Sequence, residues 1–163
     1  MSGASTWSLQ ESDFSQIQAC LSALLKASNA RCSLLVDRNG QLLANAGEEL
    51  SFDATAFASL TAADFSANDQ LAKMIGEQEF ASLFHQGDKE SMYLADVARR
   101  VILVVLFDQR TTVGMVRLKV KQTVSDLNRI FDEMFARLEA RGAEQAPGLL
   151  EGAEDEIDKL FGD

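Results

Sequence analysis

The sequence predicts an α/β sandwich in which helices cover both faces of a five-stranded antiparallel sheet. Three observations carry that prediction. Asn39-Gly40 separates two short apolar runs, the strongest short-range signal of a hairpin. Val101-Ile-Leu-Val-Val-Leu-Phe107 is apolar throughout and rich in β-branched residues, as suits a central strand covered on both faces. Residues 113–138 repeat apolar side chains every three or four positions without a break, which is the period of a helix packed on one side.

In chain order, residues 1–10 lack periodicity and read as a loose arm. Ser12 is a candidate cap for a first helix, whose stripe of Phe14, Ile17, Leu21, Leu24 and Leu25 runs to about Ser28 and stops at Asn29-Ala30. Strands follow at 32–36 and 41–46, joined through Asp37-Arg38-Asn39-Gly40 in a turn of type I′, which needs positive φ at both central residues. A second helix occupies 53–76. Two strands, 82–87 and 91–97, meet at Gly87-Asp88, and Ala98-Arg99-Arg100 turns the chain into the strand at 101–107. Thr111 or Thr112 caps the last long helix, where Gly114 is read as permitting close packing on the sheet. Residues 142–152 hold the only proline, Pro147, and three glycines, and read as a flexible linker between the domain at 11–141 and a tail at 153–163.

The formal charge of −10 argues against general nucleic-acid binding, which needs a cationic surface, and against anionic membranes. The sequence holds no apolar run long enough to span a bilayer and no basic-then-apolar leader pattern, so a cytoplasmic protein is expected. Cys20 and Cys32 have neither metal-ligand nor redox-pair spacing and read as free thiols. The one histidine, His85, has no nucleophile motif around it, and no phosphate-binding glycine loop occurs. No catalytic residue, metal site or cofactor is therefore expected. Arg38, Arg99, Arg100 and Arg110 lie in or beside turns, where an arginine can either serve a partner's phosphoryl transfer or simply face solvent.

Two stretches point instead to binding. In the second helix Ala54, Ala58, Ala62 and Ser66 recur every four residues, forming a stripe of small side chains, while Phe57, Leu60, Leu71, Met74 and Ile75 are assigned to the core-facing side. The stripe is either a surface for close approach of a second protein or a by-product of alanine's helix propensity. In the tail, Ile157, Leu160 and Phe161 stand at i, i+3 and i+4 among five acids and one lysine, the pattern of a docking peptide that folds on binding.

Leu35-Val-Asp-Arg-Asn-Gly-Gln-Leu42, Leu71-Ala-Lys-Met-Ile-Gly-Glu77, Phe84-His-Gln-Gly87, Arg100-Val-Ile-Leu-Val-Val-Leu-Phe-Asp108, Arg110-Thr-Thr-Val-Gly-Met-Val-Arg117 and Glu156-Ile-Asp-Lys-Leu-Phe161 together resemble the Roadblock family, over most of the chain. The resemblance implies a profilin-like α-β-β-α-β-β-β-α fold and a homodimer joined through the second helix and the strand after it. It further implies a Ras-like small GTPase partner of the MglA type, in bacterial polarity and gliding motility. Hydrolysis would be stimulated by rearranging the GTPase rather than by an arginine finger, at a cell pole. The GTPase-contacting positions of the family map to Ala62, Ser66 and Gln70 here, within the stripe that includes Ala58. Asp64-Phe65 stand where relatives usually carry Gly-Asn, and Gln70 is larger than usual. Those three residues separate an activator from a scaffold that holds a GTPase, or another Roadblock protein, without accelerating it.

Overall fold

In the computed structural model residues 10–161 are described, with side chains through Gly142. The elements are α1 (Glu11–Ser28), β1 (Cys32–Asp37), β2 (Leu42–Gly47), α2 (Ala54–Met74), β3 (Ser82–Gln86), β4 (Ser91–Val97), β5 (Val101–Phe107) and α3 (Val113–Phe161). The five strands form one sheet in the order β2-β1-β5-β4-β3, antiparallel throughout. The β-branched run is thus the middle strand, flanked by β1 and β4, and the edges are β2 and β3. The chain divides into two compact units, one running to Ile130 and one that holds α3 from Phe131 onward.

Within the first unit the alternation of strand side chains sorts the core into two layers. Leu34 and Val36 of β1, Leu94 of β4, and Ile102 and Val104 of β5 share a cluster with Ala58 and Phe65 of α2. On the opposite face the Arg117 guanidinium of α3 sits 6.0 Å over the Tyr93 ring of β4, and Asn128 of α3 accepts a hydrogen bond from Ala98 N–H. Val116, Val120 and Leu127 of α3 are buried, the inward half of its stripe. In the second unit the Phe131 and Phe135 rings stack with centroids 6.2 Å apart.

Several local expectations give way. Gln10, not Ser12, precedes α1 as its cap and makes no side-chain cap bond; Glu11 and Asp13 supply negative charge to the first turn instead. Positive φ in the β1–β2 turn is confined to Gly40 (91°), so the turn is not type I′. Gly40 N–H donates to Asp37 O, Asp37 Oδ1 accepts from the N–H groups of Asn39 and Gln41, and the register shifts at Leu35/Val36, so the Asp37 side chain shapes the hairpin. The doubly left-handed turn lies at Ala98 and Arg99, with φ of 54° and 59° and a bond from Arg100 N–H to Val97 O. Gly114 is exposed, and a Cβ there would meet nothing nearer than Thr112 Oγ1 at 4.0 Å, so it is not a packing glycine. Thr112 caps α3 by accepting from Met115 N–H. Across 142–152, read from sequence as a linker, the backbone is helical and part of α3.

Candidate partner-binding surface

Asp53 starts α2 by accepting hydrogen bonds from the N–H groups of Thr55 and Ala56, at 3.0 and 3.2 Å. The helix turns the middle of its small stripe inward: Ala58 and Ala62 are buried, with Thr61, Phe65 and Ala72, while Ala54 is half-buried and Ser66 exposed. Its bulky residues face out. Leu60 is 70% exposed, Leu71 55%, Met74 81% and Ile75 71%, so the core-facing assignment of these four is reversed, while Phe57 does pack against the core. The physical reason lies beneath the helix. Leucine, isoleucine and valine side chains from the sheet, together with Phe65, already fill the space, and only alanine-sized groups fit between.

Phe65, expected at a partner contact, is 1% exposed and lies in this core. Above it, 4.8 Å from the ring centroid, stands the Arg38 guanidinium. Arg38 bonds Asp69 of α2 at 2.7 Å and also Asp96 of β4, so one side chain from the β1–β2 turn ties together a helix and two strands. Asp64 points toward the sheet edge: its Oδ2 lies 2.8 Å from His85 Nε2 of β3, and its Oδ1 and backbone carbonyl accept from Asn68 Nδ2. Asp64 and Phe65, two of the three residues read as departing from the family pattern, are thus engaged within the subunit.

Of the sequence-selected residues, then, Ser66 and Gln70 are exposed, Asp64 is half-buried, and Ala58, Ala62 and Phe65 belong to the core. The side chains of Ile157, Leu160 and Phe161 lie outside the described residues. The outward residues Leu60, Leu71, Met74 and Ile75 were in plain view as a second apolar face. What the sequence did not disclose was which face the sheet would take. The α2 side of β3 is reached through the Asp64–His85 contact, and among the described residues one edge of β3 has no neighbour in the sheet. Such an edge presents unpaired backbone groups that a further strand can satisfy.

Arg38 and Arg110, two of the turn arginines, are held by carboxylates. Arg38 has its carboxylates, and Arg110 bonds Asp108 and Glu48, which raise its pKa; in return Arg110 holds Asp108 below the usual carboxylate range. Arg31 and then Arg110 depress Glu48 likewise. Burial pushes the Cys32 thiol up to about 11, so it stays protonated at neutral pH, and burial followed by Asp126 raises Cys20. Among the described residues no group of three His, Cys, Asp or Glu side chains is placed to hold a metal ion, and no helix is long and apolar enough to cross a membrane.

The family model for the Roadblock/LC7 domain matches residues 16–107. MglB of Myxococcus xanthus is 44% identical with a TM-score of 0.74, covering 78% of this chain and 96% of its own. The gliding protein MglB of Thermus thermophilus is 29% identical with a TM-score of 0.74, covering 78% and 97%. An MglB described as having a tetrameric arrangement is 29% identical with a TM-score of 0.75, covering 79% and 97%. No curated protein sequence matches the chain.

Proposed function

The chain belongs to the Roadblock/LC7 family, and on that footing we propose that it is a homodimeric co-regulator that activates a Ras-like small GTPase of the MglA type. One observation carries the reading: the outer face of α2 exposes Leu60, Leu71, Met74 and Ile75 in a subunit whose β3 edge is open among the described residues. Large apolar side chains gathered on one helix face mark an interaction site. A twofold axis would bring two such helices and two such edges together, giving one composite surface for the GTPase. Ser66 and Gln70 lie on the exposed part of α2 and supply its polar contacts. The engagement of Arg38 and Arg110 by carboxylates supports activation by rearranging the GTPase rather than by an arginine finger. The tail at 153–163 would add a second contact through Ile157, Leu160 and Phe161. Polarity and gliding motility are the processes to which this role belongs, with the protein in the cytoplasm and gathered at a pole.

Single-turnover GTP hydrolysis by an MglA-type GTPase tests the reading. Saturating chain is expected to raise the rate by at least about tenfold, well within what a stimulating partner can supply. A Leu60→Ser/Leu71→Ser variant should lose the effect. Gln70, larger than the small residue usual at its position, favours a second reading, a scaffold that binds without accelerating. Complex formation with an unchanged hydrolysis rate would select it; no complex at all would defeat both.

A further inference from the structure

We propose that Arg38 is a positioning residue, a latch that fixes the C-terminal half of α2 against the sheet and so sets how Leu71, Met74 and Ile75 are presented to a partner. Helix α2 is not held evenly along its length. Its first half buries Ala58, Thr61, Ala62 and Phe65, and Ala58 and Phe65 join the core cluster. Between Phe65 and Gly76 only Ala72 is buried, while Leu71, Met74 and Ile75 stand out from the surface. The helix end is equally uncovered: a Cβ placed on Gly76 would meet nothing within 4 Å. Among the described residues, Asp69 is the last side chain of the helix that bonds another element, and its partner is Arg38, at 2.7 Å.

The setting of Arg38 suits a latch. Its backbone N–H donates to Arg100 O at 3.1 Å, which ties the root of the side chain to the β4–β5 turn. Its guanidinium lies 4.8 Å over the Phe65 ring, reaching Asp69 with one amino group and Asp96 of β4 with the other. Asp96 is itself oriented by the N–H of Arg99. A planar fork bonded to two carboxylates fixes their relative placement, which the point charge of an ammonium does not. Ion pairs withdrawn from water add little net stability once desolvation is counted, so the contribution of this one is geometric. Asp69 directly precedes Gln70 and Leu71, so its position sets theirs. The consequence for a partner rests on the role proposed above for α2; the latch itself does not.

Hydrogen exchange on the full-length chain tests the latch without any partner. Arg38→Met keeps an apolar side chain over Phe65 and removes both ion pairs. Amides at 70–77 should exchange about tenfold faster in this variant and in Asp69→Asn, with those at 58–65 unchanged. Arg38→Lys, which keeps the charge but not the fork, should fall between. Because the latch acts within one subunit, the increase should be the same size when Leu71→Ser is added. Affinity for an MglA-type GTPase should drop about tenfold in Arg38→Met and recover in part in Arg38→Lys. Three exchange results would overturn the latch: no change at 70–77, an equal increase along all of α2, or an increase that vanishes in the Leu71→Ser background. Faster exchange at 70–77 with undiminished GTPase affinity would overturn its part in presentation. If the unaltered chain binds no GTPase, the function proposed above fails, and the exchange result still decides the latch.

Discussion

Ala98 and Arg99 occupy the left-handed region that glycine and asparagine prefer, at φ of 54° and 59°. For residues with a Cβ this costs roughly 1–2 kcal/mol each. The turn is held from outside: Asn128 Oδ1 accepts from Ala98 N–H, and Asp96 Oδ2 from Arg99 N–H. Asp96 also receives Arg38, so one carboxylate anchors the turns at both β1–β2 and β4–β5. Arg99→Gly is expected to stabilise the fold by roughly 1 kcal/mol, seen as a higher urea midpoint with an unchanged slope. The same residues show where sequence signals run out. Asn39-Gly40 correctly located a hairpin but not its turn type, because Asp37 supplied competing bonds to the backbone. Ala98-Arg99 gave no signal of a left-handed turn, since its cause is a helix residue thirty positions later.

Helix α2 shows the same limit one level up. Its bounds follow from local chemistry and were readable, 53–76 from the sequence against Ala54–Met74 in the structure. Its rotation was not. The rule that bulky apolar residues point inward assumes empty volume below, and here the sheet and Phe65 had filled it. Two substitutions separate the faces. Ala58→Leu inserts bulk where no space remains and should cost about 1–3 kcal/mol in denaturant unfolding. Leu71→Ser on the exposed face should leave the far-ultraviolet circular dichroism unchanged while shifting sedimentation toward monomer. If Ala58→Leu is tolerated and Leu71→Ser unfolds the chain, the orientation is wrong.

For the molecule as a whole, all five strands fall within a residue or two of the positions read from sequence, because each is bounded by its own turn residues. Strand order within the sheet needed the fold itself, since nothing local says that β1 pairs with β5. Residues 9–130 hold both core layers, so a chain ending at Gly142 should melt within about 5 °C of the full-length protein. Differential scanning fluorimetry checks this. A larger drop would show that residues 143–163 contribute to the fold, whereas an equal melting point with weaker GTPase stimulation would assign them to partner contact.

The division of α2 into two faces also bears on how such a protein changes over generations. The alanines that set the distance between helix and sheet tolerate little variation, because a single added methylene is felt in a packed interior. Leu60, Leu71 and Met74 lie largely exposed on the helix surface, so their replacement leaves the core intact. On the proposed role, inheritance of the fold and choice of partner are written in different letters of the same helix. A duplicated copy of this gene can drift toward a new partner through the outer letters alone, without first passing through an unstable intermediate.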